Sequence, residues 1–353
     1  MTERPSQRLP LTGAQTGVWY GQRLDPDSPV YNVGQYVEID GPLDAGLFVT
    51  ALRRTVAESE ALTARFAEGP DGEPYQVTWS EPAAGPLVAV LDHTGQDDPY
   101  GTALSLMHAD MARPLDPVRD SLYVFTLHKV APDRTLWYQR AHHLVLDAFG
   151  FSLVSRRTAE IYTALAGGEE PTPDPFGGLE VILAEEHAYR SSPRFTEDRA
   201  YWLERLADHP EPEPLSGARY PAAHAFLRDG ATLTRQETAG LLAIARAAKA
   251  SWADVLTAAF AAYLHRATGG RDVLLSLPAM ARLGSAALKV PSMVVNVLPL
   301  RVAVRPQTPL AELVAGGGAG GPRRRRPPPH PARAHPPHPR PAGPPHGRRG
   351  PPG

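Results

Sequence analysis

The stretch that most constrains this chain is Trp137–Phe151, WYQRAHHLVLDAFGF. Its first half has the aromatic and apolar content of a β-strand, and from Phe149 on the pattern is helical. Two adjacent histidines and an aspartate therefore sit where a strand hands over to a helix. Neighbouring side chains on a strand point to opposite faces, so one histidine of the pair can face a cleft while the other packs inward. Asp147 follows His143 by four residues, at the junction, where a carboxylate can orient structure or cap the helix. A neutral imidazole with pKa near ~6.5 is the natural proton acceptor at neutral pH. Taken alone, the segment also admits an incidental structural histidine pair. It admits a His-x-x-x-Asp metal site too, which would need a third ligand and a helical setting.

Around this segment the chain divides into blocks. From residue 10 to about 165 strands and helices alternate. Val33–Asp40 reads as a strand and Leu43–Glu60 as a helix carrying Leu47, Ala51, Leu52 and Val56 on one side. Ser121–Val130 and Thr135–Ala141 read as two strands around Ala131-Pro132-Asp133, and Phe149–Ala166 as a helix. Gly167-Gly168-Glu-Glu-Pro-Thr-Pro-Asp-Pro is a linker signal. The second block, from about Gly178, has helices expected at about 181–207, 236–248 and 252–267, the last with Ser251 as N-cap. Asp272–Leu277 and Val294–Val302 have the β-branched content of buried strands.

Charge separates the last segment from the rest. The 353 residues carry a formal charge of −2, but residues 316–353 hold eight Arg and no Lys, Asp or Glu. The body is left with 28 basic against 38 acidic residues, a net −10, which repels nucleic acid and membrane phosphates. Residues 316–353 use only Gly, Ala, Pro, Arg and His, a composition without a core-forming side chain, so a disordered tail is expected. The abrupt change after Ala315, inside the helical pattern TPLAELVA, is read as the product of a frameshift in a G/C-rich gene. No apolar run is long enough to span a membrane, and the N-terminus lacks the apolar core of a signal peptide. With zero cysteines, disulfides, thiolate metal sites and cysteine nucleophiles are excluded. A cytoplasmic protein is the expectation.

HHLVLDAFG, with its flanking segments, resembles the HHxxxDG signature of the condensation-domain superfamily of nonribosomal peptide synthetases. Other pieces fall in the family's order: LTGAQTGVWY at 11–20, ESEALTARF at 58–66, ARPLDP at 112–117, the Tyr201-Trp202 pair, and LPAMARLGSAALKVPSMVVNVLPLRV at 277–302. The resemblance covers about residues 8–315 and is strong toward condensation domains of siderophore assembly lines. It implies an α/β fold of the chloramphenicol acetyltransferase type: two lobes, each α+β in two layers, in a V arrangement. The N-terminal lobe would span 8–170 and the C-terminal lobe 178–315, the latter incomplete. The implied activity is amide formation between a carrier-bound acyl or aminoacyl thioester and a carrier-bound amino acid. His143 would be the site histidine, with Asp147 and His142 beside it and His142 in a structural role. Asp147 would pair with Arg282, because burying either charge alone is costly. Asn296, Ala148 and Gly150 would line the substrate tunnel. The resemblance implies no metal and no directly bound cofactor. Substrates would arrive on the phosphopantetheine arms of upstream and downstream carrier proteins, next to an adenylation module, with no nucleic acid or membrane partner.

The sequence departs from the family pattern in three places. Ala148 replaces the glycine after the aspartate, and Thr63 stands where many relatives carry arginine. The family continues beyond PLRV with strands absent here, so an inactive or weakly folded chain is expected. An ester-forming acyltransferase of the same superfamily and a noncatalytic carrier-docking module remain as alternatives.

Overall fold

The computed structural model describes residues 7–78, 88–208, 215 and 229–317. From 318 on, the Gly/Pro/Arg/His segment lies outside the described residues. The first half holds β1 (Gln7–Pro10), α1 (Gly13–Leu24), β2 (Asn32–Asp40), α2 (Ala45–Glu58), α3 (Glu60–Thr63), β3 (Arg65–Glu68), β4 (Pro74–Thr78), β5 (Val88–Asp92) and α4 (Pro99–Met111). β6 (Tyr123–Ala131), β7 (Arg134–His142) and α5 (Ala148–Ala166) complete it. After residue 178 come α6 (Leu179–Arg190), α7 (Pro193–Arg205), α8 (Arg235–Ala247), α9 (Trp252–Thr268), β8 (Asp272–Ala279), β9 (Asn296–Ala303) and α10 (Leu310–Gly317). The mixture of helices and sheets is that of an α/β protein.

The sheet that carries the histidines runs in the order β2-β7-β6-β5, with β5 parallel to β6 and the other pairs antiparallel. β7 is central and buried at every residue after Arg134. Its odd positions, Trp137 and Ala141, pack with Phe48 of α2 and Val154 of α5. Its even positions, Leu136 and Tyr138, pack with Ala103 and Met107 of α4. The sheet thus has helices on both faces. A smaller sheet, β1-β4-β3, lies beside it.

The composition break near Gly178 does not coincide with a break in the core. Leu179 and Ile182 of α6, and Ala287, Val290 and Met293 of the later loop, join the cluster built by α1, α2, β6 and β7. A separate cluster belongs to residues 245–314, with Val255, Ala258 and Ala261 of α9 against Val273, Val302 and Leu313. The linker before Gly178 is tied down: buried Arg157 of α5 donates to the Thr172 carbonyl at 2.8 Å and hydroxyl at 2.9 Å while forking onto Glu58.

Two expectations change in the second half. The single helix over about 181–207 is two helices, because Ser192 is extended (φ −89°, ψ 152°) and Pro193 opens α7. Proline disfavours helical backbone in the residue before it and has no N–H to donate. β8 and β9 are only half-buried, since they pair with each other alone among the described residues. α9 and α10 cover one face, leaving Val297 54% exposed on the other. The Ser251 cap is present as a capping box with Asp254.

Candidate active site

β7 ends at His142, and the chain turns through His143–Leu146 before Asp147 caps α5 by accepting the Gly150 N–H at 2.8 Å. The two histidines part company there. His142 is 1% exposed, its Nε2 meets Gln22 Oε1 at 3.1 Å, and its Nδ1 accepts the Leu144 N–H at 3.1 Å. Burial, with His143 and Arg140 adding to it, pushes its pKa down to about 3, so the ring is neutral. His143 is half-buried, and its backbone N–H donates to the Tyr31 carbonyl at 2.7 Å. Its Nδ1 is fully buried without a hydrogen-bond partner, so the open side of the ring is the Nε2 edge. Burial lowers the His143 pKa, against the opposing pull of the Asp147 charge and the Leu146 backbone. A neutral ring with an accessible nitrogen results.

Asp147, 2% exposed, gathers more partners than a cap needs. Arg282 Nη2 reaches both its oxygens at 2.9 and 3.0 Å, and the N–H groups of Val294 and Val295 donate to Oδ2 at 3.0 Å each. Arg282, fully buried, also donates to the carbonyls of Ala287, Val290 and Ser292. The pair therefore joins the N-terminus of α5 to the 282–295 segment. Among the described residues no third His, Asp or Glu completes a metal-binding cluster with them.

The expected tunnel residues fall in different places. Ala148 is exposed at the first position of α5. Gly150 is buried against the backbone crossing of Ser292, where an added Cβ would sit 3.2 Å from the carbonyl oxygen and 3.3 Å from the amide nitrogen. Its role there is close approach. Asn296, at the start of β9, lines a cavity of about 470 Å³ together with Ala14, Ile182, Met280, Leu283 and Met293. His143, Asp147, Ala148 and Gly150 do not line it. The 292–296 segment serves both places, giving backbone amides to Asp147 and side chains to the cavity. Thr63 turns its hydroxyl onto the Glu60 carbonyl at 3.1 Å within α3 and is buried.

Three residues that hold the histidine loop were not singled out from sequence: Gln15, Gln22 and Tyr31. Gln15 lies inside the Ala-Gln piece of LTGAQTGVWY, and its spacing from Thr12 is that of a capping box, which the structure contains. Its contact with Leu144, 129 residues away at 3.0 Å, left no local signal. In α7, Trp202 is buried and Tyr201 is exposed beside it.

The condensation-domain family profile matches residues 6–316. The chain is 46% identical over 310 residues to an isonitrile lipopeptide synthase of Streptomyces coeruleorubidus, covering 88% of this chain and 21% of that protein. It is 35% identical over 317 residues to enterobactin synthase component F of Escherichia coli O157:H7, covering 87% of this chain and 24% of that protein. The fold matches the first condensation domain of the calcium-dependent antibiotic synthetase, solved with a substrate analogue, with a TM-score of 0.81 and 40% identity. That match covers 88% of this chain and 73% of the solved one. No helix among the described residues is long and apolar enough to cross a membrane.

Proposed function

The chain belongs to the condensation-domain family, the amide-forming domains of nonribosomal peptide synthetases, and from that premise we propose that it joins a carrier-bound acyl or aminoacyl thioester to the amine of a carrier-bound amino acid. The observation that carries this reading is the state of His143: a neutral ring, Nδ1 buried and the opposite edge open, on a loop held by the Asp147–Arg282 pair. In the step, the amine nitrogen attacks the thioester carbonyl carbon and its proton passes to His143 Nε2. The tetrahedral intermediate collapses with loss of the C–S bond, the thiolate takes up a proton, and the amide remains. An unprotonated base with its lone pair free is what that transfer needs. Asp147 acts at one remove, by fixing the loop. His142 is structural.

The thiols would be phosphopantetheine arms of carrier proteins acting in the cytoplasm, with an adenylation module alongside, so the chain itself needs no resident cofactor. The cavity beside Asn296 would receive part of a substrate. Likeness to an enterobactin synthase component supports a siderophore-type product.

The test combines the purified chain with an acyl-pantetheine thioester and an aminoacyl thioester and looks for the amide by mass spectrometry. His143→Ala should remove turnover while the melting temperature stays put, and an unchanged rate would overturn the assignment. An alcohol acceptor run in parallel separates ester from amide formation. Running the assay both on the chain and on a version extended by the C-terminal part of a relative tests the expectation of an inactive or weakly folded chain, which turnover by the chain itself would overturn.

A further inference from the structure

α1 lies along the histidine loop and reaches it through two buried glutamines, Gln15 and Gln22, 1% and 3% exposed. The orientation of the Gln22 amide is fixed by its surroundings. Its Nε2 faces three carbonyls, those of Asp25, Pro26 and Ser28, at 3.1, 3.2 and 3.1 Å. Only the NH₂ end of an amide suits three acceptors, so Oε1 is the atom that meets His142 Nε2. An acceptor there requires the proton of neutral His142 to sit on Nε2. The consequence appears at the other ring nitrogen: Nδ1 is left with a lone pair, and the Leu144 N–H donates to it. The opposite tautomer would set two N–H groups against each other at Leu144 and two lone pairs against each other at Gln22.

Gln15 holds the other end of the same residue. Its Nε2 donates to the Leu144 carbonyl at 3.0 Å and to Gln76 Oε1 at 3.1 Å, while its Oε1 accepts from Thr12 N at 3.0 Å and Gln76 Nε2 at 3.2 Å. The backbone around His143 is thus secured at three points: His143 N–H on Tyr31, Leu144 N–H on His142, and Leu144 C=O on Gln15. The buried Nδ1 of the imidazole has no well-aligned hydrogen bond, and the Leu146 backbone is the polar group that approaches the ring. Its placement comes from the backbone that carries it.

We infer that Gln22 and Gln15 are positioning residues for the His143 imidazole: Gln22 selects the Nε2–H tautomer of His142, His142 then holds the Leu144 amide, and Gln15 holds the Leu144 carbonyl. This rests on the assignment of His143 as the proton acceptor, and it adds a chain of side chains from α1 that neither touches substrate nor titrates. Misplacement of a catalytic group by about 1 Å can cost about 100-fold in rate, which sets the scale of the effect.

The experiment has a spectroscopic arm and a kinetic arm. With ¹⁵N-labelled histidine, two-bond ¹⁵N–¹H correlations of the wild-type chain at pH 7 should show His142 as the Nε2–H tautomer, assigned by its loss in His142→Asn. An Nδ1–H or doubly protonated ring would overturn the inference. In Gln22→Leu the tautomer preference should weaken, and kcat should fall about 10- to 100-fold with both thioester KM values within about 2-fold, scaled to folded protein. Asparagine can present an acceptor near Nδ1, so His142→Asn should keep several-fold more kcat than His142→Leu. Gln22→Leu at wild-type kcat, while His143→Ala is inactive, would overturn the positioning role and leave the assignment of His143 standing. A wild-type rate in His143→Ala would remove the reading on which the inference rests, and the tautomer measurement would still decide the Gln22–His142 link.

Discussion

The carboxylate of Asp147 accepts the Arg282 guanidinium from 135 residues further along the chain, and both side chains are almost fully buried. Neither is paired only with the other. Asp147 also takes the N–H groups of Gly150, Val294 and Val295, and Arg282 supplies three carbonyls. Removing one partner leaves a buried charge without compensation, which costs about 3–5 kcal/mol. Arg282→Met and Asp147→Asn should each destabilise the chain by about that much in urea unfolding. The double variant should fall close to the worse single one, because orphaned amides and carbonyls remain in both. A double variant near wild-type stability would show that the pair acts in isolation.

How much of this was legible beforehand depends on whether the deciding contact was local. The strand–turn–helix carrying His142, His143 and Asp147 was readable, because the aromatic and apolar content of β6 and β7, the turn between them and the periodicity of α5 are properties of short windows. The Asp147–Arg282 pairing was expected through family likeness, since no window contains both residues. The parallel pairing of β5 with β6 and the packing of α6 and Met293 into the first core had no comparable signal. Ser191-Ser192-Pro193 carried one: a proline inside an otherwise helical pattern, which marks the break between α6 and α7. Gln15 and Gln22 are further cases, polar residues on an amphipathic helix whose partners lie more than 100 residues away.

Gly150 tests whether the α5 terminus and the 292–295 segment have any slack. A Cβ there would meet Leu146 Cδ2 at 2.9 Å as well as the Ser292 backbone. The leucine methyl can rotate away, but the Ser292 backbone is held by Arg282 and by its own bond from Asp147 N–H at 3.3 Å. Overpacking of this kind costs about 1–3 kcal/mol, so Gly150→Ala should lower the unfolding midpoint correspondingly. Ala148→Gly, at the exposed first turn, should cost no more than about 1 kcal/mol. Equal effects at the two positions would mean that the crossing at Ser292 yields.

Acid should weaken the fold well before the carboxylates titrate. The pKa of His142 is held down to about 3 and that of His128 to about 4, each chiefly by burial. His128 faces His93, Nδ1 to Nε2 at 3.0 Å, and His142 has Arg140 and His143 beside it. A histidine whose folded pKa lies below its unfolded value of ~6.5 takes up its proton more readily in the unfolded chain. The stability it contributes is therefore complete above about pH 6.5 and is lost as pH falls toward the folded pKa. Urea midpoints should decline steadily from pH 7 to pH 5, and His142→Asn should reduce the slope. A flat profile over that range would contradict the burial of both rings as neutral species.

Arg157 is expected to decide whether the connection before Gly178 stays closed. Its guanidinium forks onto Glu58 at 2.6 and 2.8 Å and donates to the Thr172 hydroxyl and carbonyl, with Glu160 3.8 Å from Nη1. Arg54 adds longer contacts to the Pro171 and Thr172 carbonyls at 3.4 and 3.5 Å. A lysine at 157 would keep the charge and one contact to Glu58, but a single ammonium cannot reproduce the planar fork. The Thr172 backbone would lose a charge-assisted hydrogen bond worth about 1.5–3 kcal/mol, and local opening would become roughly 10- to 100-fold more frequent. Limited proteolysis should then cut Arg157→Lys between 167 and 178 at least about tenfold faster than wild type. The global unfolding midpoint should move less, because Glu58 keeps a partner in Arg54 at 3.2 Å. Cleavage at the wild-type rate would show that the prolines of the segment, and not Arg157, keep it closed.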